Sequence, residues 1–263
     1  MTLGAETRAA VGAALGAGRL IMRQFGRARG VRLKTPRDPV TAADTAAERW
    51  IRRALGRRFP RIGFLGEEGT ATAGPEGRWI VDPLDGTIAF IAGLPSFGVS
   101  IALEREARIR SAVIWLPRLG ELFVAERGRG AWLGGRRIRV SATAALARCV
   151  VSLWHDASVW EDDRLRARLA RLGRRVRSVR SIGAAFSLAY VAAGRLDGYW
   201  ERSAHVWDVA AGALLVREAG GRVTDAVGRA VELPHPTIVA SNGRIHARLL
   251  AGVAGRRAAA RAG

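Results

Sequence analysis

The chain has one cysteine, one lysine and two tyrosines in 263 residues. A single cysteine, Cys149, excludes an internal disulfide and fits a reducing, cytoplasmic setting. It lies in the apolar run Cys149-Val150-Val151 and reads as a small buried residue. No stretch free of charge is long enough to span a bilayer. Glu6 and Arg8 interrupt the N-terminus before an apolar signal core can form. The expectation is a cytoplasmic protein with no membrane contact. Acidic residues are scarce beside basic ones, 23 against 43, and the formal net charge is +20. That balance invites a nucleic-acid reading. Yet aromatic residues are only 6% of the chain and do not interleave with the arginines, as a platform for stacking single-stranded bases requires. Arg164, Arg168 and Arg171 share a helical face opposite Leu165, Leu169 and Leu172, the pattern of an ordinary amphipathic helix. Nucleic acid is therefore not the expected partner.

What is present is ample apolar material, 49% of the chain, enough for a sizeable core. Periodicity predicts helices over residues 7–25 and 42–59, then a short strand at 62–65. Further strands are predicted at 79–81, 97–103, 111–115 and 121–125, the last three as a meander with glycine turns. The second half alternates helix and strand: helix 164–172 closed by Gly173, strand 175–181, helix 184–193, strand 196–201, helix 208–219 and a late strand at 238–242 before a terminal helix. A soft internal boundary falls near residues 141–147. It divides the chain into an N-terminal α+β half, 1–143, and a C-terminal α/β half, 144–263, within one compact unit.

The stretch Trp79-Ile80-Val81-Asp82-Pro83-Leu84-Asp85-Gly86-Thr87 organises the rest. An apolar strand runs into two carboxylates three positions apart. The two carboxylates are expected in one short turn, which Pro83 stiffens, and Gly86 lets backbone approach a ligand closely. Thr87 adds a hydroxyl, and an element starting there aims free N–H groups at an anion. Carboxylate oxygens suit Mg²⁺. A solvated Asp-Pro-x-Asp-Gly turn is the plain alternative. Three other places carry acids. Glu67 and Glu68 follow the strand at 62–65, where a solvated loop is the simple reading. Asp44 and Glu48 share a helix face. Asp208 stands in Val206-Trp207-Asp208, where it can simply cap a helix. Lys34, the one lysine among so many arginines, is either an incidental surface residue or a compact charge required as such.

These strings together resemble the inositol monophosphatase family of Mg²⁺-dependent, lithium-sensitive phosphatases. The resemblance runs from Lys34 to Leu250. It rests on Lys34 with Asp38, Val40, Thr41 and Asp44; on Gly66-Glu67-Glu68; on the central stretch; on the glycine-rich run 128–140; and on residues 192–221, with Trp207-Asp208 inside them. The resemblance implies a layered α-β-α-β-α sandwich, an α+β fold, often a homodimer. It implies two or three Mg²⁺ ions held by Glu67, Asp82, Asp85, Asp208 and the Leu84 carbonyl. Gly86 and Thr87 N–H groups would hold the phosphate, with Gly183 and Ala185 beside the substrate. The Thr87 hydroxyl and Asp44 would orient or deprotonate the attacking water, with Glu67 also catalytic through its metal. Lys34 and Glu68 would support the ligands from behind. Glu201, ending Asp197-Gly198-Tyr199-Trp200-Glu201, would contact polyol hydroxyls, although pairing with Arg202 competes as a reading. Two departures bear on substrate choice: Ala89 and Ala184 stand where many relatives carry polar side chains. The expected substrate is inositol 1-phosphate or a related polyol or sugar monophosphate. Histidinol phosphate is a rival that the run Gly93 to Gly98 favours, as is a nucleotide 3′-phosphate. A non-enzymatic rival is binding to RNA or the transcription machinery.

Overall fold

The structure is a computed structural model and describes residues 2–154, 158–230, 232–233 and 237–254. Helix α1 (Ala5–Met22) begins two residues earlier than its apolar period predicts and stops before Phe25. Phe25 instead packs on Phe90 and Phe97, with ring centroids 5.9 and 5.2 Å apart. A small hairpin, β1 (Arg32–Thr35) and β2 (Asp38–Val40), leads into α2 (Ala42–Arg58). The eight-stranded sheet contains β3 (Gly63–Gly66), β4 (Ala71–Thr72), β5 (Arg78–Asp85), β6 (Gly98–Arg105), β7 (Arg108–Leu116), β8 (Glu121–Glu126), β9 (Gly130–Leu133) and β10 (Arg136–Ile138). Its order is β10-β9-β8-β7-β6-β5-β3-β4, and only β3 and β5 pair in parallel. The short helix α3 (Thr87–Ile91) follows β5 directly.

The second half builds a five-stranded sheet of order β12-β11-β13-β15-β14. Its strands are β11 (Val150–Trp154), β12 (Ser178–Arg180), β13 (Gly198–Arg202), β14 (Arg222–Thr224) and β15 (Thr237–Ser241). Between them come α4 (Ser158–Glu161), α5 (Asp163–Gly173), α6 (Ala184–Ala192), α7 (Val206–Glu218) and finally α8 (His246–Ala254). The strand expected at 175–181 shortens to the three residues of β12, an edge strand with Val179 exposed. The amphipathic reading of α5 holds at Leu165 and Leu172, which are buried, and at Arg164 and Arg171, which face outward; Arg168 and Leu169 are both half-buried, so the two faces meet there.

Alternation along the strands explains the layering. Trp79, Val81, Ile101, Leu103 and Val113 face α1 and α2, whereas Ile80, Ala102, Ala112 and Ile114 face α6 and α7. Successive strand residues point to opposite faces, so each strand of the large sheet serves two cores. In the small sheet Tyr199, Ile238 and Ala240 close the same α6–α7 layer from beyond, while Trp200 and Val239 face α5 and α8. The result is the α-β-α-β-α sandwich, with α7 packed against both sheets. Helices α6 and α7 carry no polar face because they are covered on both sides.

Candidate active site

The Asp82–Asp85 segment is not a turn. It remains in β5, paired with β6 through Asp82↔Ser100 and Asp85↔Gly98, with a register shift between the two pairs. Three steps along β5 match two along β6, which is a bulge. Pro83 falls in it and has no N–H to contribute to the ladder. The bulge bends the strand end, and Leu84 N donates to Asp82 Oδ1 at 2.8 Å, fixing that carboxylate. Gly86 then takes φ +84, the left-handed region open to glycine, and starts α3.

Parallel pairing sets Gly66 beside Val81, so Glu67 leaves β3 next to Asp82. On the other side, Ser100, the register partner of Asp82, donates to the Trp207 carbonyl at 3.3 Å and ties the first turn of α7 to the sheet. Asp208 is the third residue of that helix, not its cap. His205 occupies the cap position, and its N–H donates to Asp208 Oδ2 at 2.9 Å. One carboxylate oxygen from each of Glu67, Asp82 and Asp208 thereby lies within 4.8 Å of the others. Asp85 sits against the start of α6, accepting from Ala184 N and Ala185 N at 3.2 Å each. A Cβ on Gly183 would stand 2.7 Å from Asp85 Oδ2, so glycine is needed for that approach.

The electrostatics of this group are those of acids in excess, with the Lys34 ammonium, 2.8 Å from Glu67 Oε1, as a partial counter-charge. Burial raises the Asp82 carboxyl well above the usual range, and Glu67, Asp85 and Asp208 raise it further. Asp85 is pushed up to about 7 by burial and by Glu67, against the opposing N–H groups of α6. Burial, with Glu201 and Asp85 adding to it, raises the Asp208 carboxyl well above the usual carboxylate range. Hard oxygen donors held together at such cost fit a divalent cation, which removes the repulsion.

Around them lie the other expected residues. Thr87 Oγ1 is 2.9 Å from Asp44 Oδ1 and 3.0 Å from the Leu84 carbonyl oxygen. Its single proton serves one acceptor at a time. Asp44 is fully buried and also accepts from Thr41 N and Thr41 Oγ1, closing a capping box on α2. Its carboxyl is raised by burial, against the pull of Thr41 and Thr87. Lys34 Nζ reaches Glu67 Oε1 at 2.8 Å and Glu68 Oε1 at 3.0 Å. Burial opposes its charge, but the two glutamates hold the ammonium above its ordinary range. Glu68 rises to about 7 by burial, with Lys34 acting the other way. Glu201 is buried and accepts the Tyr199 hydroxyl at 2.5 Å; Arg202 pairs with Asp162.

Sequence reasoning missed the supports. Glu48 accepts from Glu68 N at 2.9 Å and Thr70 Oγ1 at 2.5 Å, and so sets the Glu67–Glu68 turn. Its spacing four residues after Asp44 was the available signal. Ser100 and Tyr199 gave no signal, since both read as ordinary strand residues.

A model of the inositol monophosphatase family matches residues 5–257. The chain belongs to that family. It is 46% identical to an inositol-1-monophosphatase of Rhizobium meliloti, over 87% of this chain and 88% of that one. It is 42% identical to a Nus factor SuhB of Pseudomonas aeruginosa, over 92% and 93% of the two chains. The crystal structure of the extragenic suppressor protein suhB from Bartonella henselae superposes with a TM-score of 0.90 at 42% identity, covering 95% of this chain and 98% of that one. Family membership makes the chain a phosphoric monoester hydrolase, of a Mg²⁺-dependent family. No helix among the described residues is long and apolar enough to cross a membrane.

Proposed function

We propose that this chain hydrolyses inositol 1-phosphate and related polyol or sugar monophosphates by attack of a metal-activated water, acting in the cytoplasm as a homodimer. The observation that supports the reading is the group Glu67, Asp82 and Asp208, with Asp85 beside it and Glu201 close enough to raise Asp208. Glu67, Asp82, Asp85, Asp208 and the Leu84 carbonyl would hold two or three Mg²⁺ ions. Bound there, the metal lowers the pKa of a water and steadies the leaving oxygen.

The chain's own residues do the remaining work. The Thr87 hydroxyl, held between Asp44 and the Leu84 carbonyl, positions the attacking water, and Asp44 takes up its proton through that hydroxyl. Gly86 and Thr87 N–H groups at the start of α3 receive the phosphate oxygens. Gly183 and Ala185 keep Asp85 oriented at the edge of the substrate site. Lys34 binds Glu67 and Glu68, which fixes Glu67 and offsets part of the acid excess. Glu48 holds the same turn through Glu68 N. The buried carboxylate of Glu201 accepts hydrogen bonds from vicinal hydroxyls, and a site built for hydroxyls penalises ligands that lack them. Ala89 and Ala184 leave the pocket roomy, which favours breadth across polyol phosphates.

A substrate panel tests this reading. Inositol 1-phosphate should outrank histidinol phosphate and nucleotide 3′-phosphates in kcat/KM. Glu201→Ala should raise KM about tenfold or more for inositol 1-phosphate and much less for an aryl phosphate. A preference for histidinol phosphate, or equal effects of Glu201→Ala on both substrates, would overturn it. A second reading, binding to RNA or the transcription machinery, draws on the name of the Pseudomonas aeruginosa relative and on the arginines exposed along α5. It needs none of the four acids, and their assembly favours the enzymatic reading.

A further inference from the structure

Among the described residues, four buried side-chain polar atoms have no hydrogen-bond partner: Trp79 Nε1, Arg168 Nε, Arg105 Nε and Ser111 Oγ. Arg105 and Ser111 line one cavity of about 430 Å³. It lies at the Arg78 end of β5–β7, whereas the catalytic carboxylates stand at the Asp85 end. Ser111 pairs in register with Leu103 on one side and Glu126 on the other. Cross-strand partners share a sheet face. Leu103 packs in the core beneath α1, and Glu126 accepts from Gly4 N and Thr7 Oγ1 at the start of α1. The Ser111 side chain therefore stands on that face, inside the cavity, and Ser111 is only 3% exposed. A buried hydroxyl without a partner is costly, and nothing in the catalytic reading requires one here.

The rest of the lining states what would relieve it. Arg110, Arg127 and Arg129 join Arg105 around the space, with Glu6, Glu106 and Glu126 as the acids. Arg110 pairs with Glu106, on an exposed hairpin tip. The other guanidinium atoms of the lining already meet acids: Arg105 reaches Glu6 at 3.3 Å and Glu76 at 3.7 Å, Arg127 pairs with Glu232, and Arg129 with Glu126 at 3.0 Å, so the Arg105 Nε–H and the Ser111 hydroxyl are what remain. The unpaired groups, a guanidinium N–H and a hydroxyl, serve an acceptor. Glu126, which accepts from Thr7, Gly4 and Arg129, can accept one further hydrogen bond from a ligand O–H. An anion that accepts from Arg105 and Ser111 and still carries a proton for Glu126 is hydrogen phosphate.

We propose that the Arg105–Ser111–Glu126 cavity is a second binding site for inorganic phosphate, the common product of phosphomonoester hydrolysis, separate from the catalytic carboxylates. The proposal does not depend on which phosphate ester the enzyme prefers.

The test uses the full chain in excess chelator, where the uncompensated carboxylates repel phosphate from the catalytic site. Thermal unfolding is followed during titration with sodium phosphate against sodium chloride at equal ionic strength. Calorimetric titration at 25 °C supplies the binding constant independently of unfolding. Wild type should gain a saturable rise in Tm. Ser111→Ala keeps every charge of this arginine-rich surface, so it removes specific binding and spares the general salting effect of phosphate. Its Tm without phosphate should equal or exceed wild type, because an unpaired hydroxyl is lost. Its phosphate affinity, and that of Arg105→Lys, which keeps the charge and loses the Nε–H, should fall about tenfold or more. Sulfate, which has no proton for Glu126, should bind more weakly. No saturable phosphate effect in wild type, or an equal effect in Ser111→Ala, overturns the site. Sulfate binding as tightly as phosphate overturns the assignment to hydrogen phosphate.

Discussion

Replacing Asp82 by Asn should stabilise the metal-free protein while destroying its response to Mg²⁺. Asp82 is 2% exposed, and one oxygen each of Glu67, Asp82 and Asp208 lie within 4.8 Å of one another. Two ionised carboxylates at that separation repel by about 3 kcal/mol with an effective dielectric of ~20. Asp82 faces two such partners, and Asp85 adds to the field. Proton uptake relieves part of this in the metal-free state, so a net gain of about 1–3 kcal/mol is the reasonable figure. Asn keeps the acceptor oxygen that Leu84 N uses, so the bulge in β5 survives. For a chain of this size the gain corresponds to roughly 2–8 °C in Tm. The assay is thermal unfolding at pH 7.5 to 8, in chelator and in saturating Mg²⁺. Wild type should gain Tm on adding Mg²⁺; Asp82→Asn should start higher and gain little. A variant that unfolds earlier than wild type in chelator, or keeps the full Mg²⁺ shift, would refute the argument that these acids are held together for a cation.

Thr87→Ala should lower kcat by about 10²-fold or more with little change in KM, because the hydroxyl positions water and does not hold substrate; a KM effect alone would reassign it to binding. His246 gives a pH prediction. It is buried between Thr224 Oγ1 and Ser241 Oγ, and burial, then Arg222, lower its pKa to about 4. The folded state refuses a proton that the unfolded chain accepts below about 6.5, so His246 costs stability as pH falls from there to about 4, by about 3 kcal/mol in all. The stability gap between wild type and His246→Gln should narrow across that window in urea unfolding, and a constant gap would contradict the shift.

The elements legible in the sequence were those whose partners are close by or whose period is strong. Strands with both faces covered announced themselves as apolar runs, and α2, α5 and α7 showed through period and composition. The Asp82–Asp85 segment misled because a bulge is decided by the partner strand: Ser100 and Gly98 set the register, and neither says so locally. Asp208 read as a cap since capping is a local rule, whereas its actual place depends on Ser100 binding the carbonyl of Trp207. The acids were visible as types; their meeting was not. Asp44 and Thr87 are 43 residues apart, and only the family resemblance joined them before the fold did. Glu48 stayed hidden for a similar reason, since its partners Glu68 and Thr70 arrive from the end of another strand. Ser111 carried no sign at all. A serine in an apolar strand is unremarkable until α1 roofs it and leaves its hydroxyl without a partner.

The most direct test of the central claim is phosphate release from inositol 1-phosphate by the full chain, measured in excess chelator and after Mg²⁺ is restored. The account predicts no turnover in chelator, full recovery with Mg²⁺, and at least a ~10²-fold lower rate for Asp208→Asn in the restored state. Sustained turnover in chelator, or wild-type rates from Asp208→Asn, would contradict it.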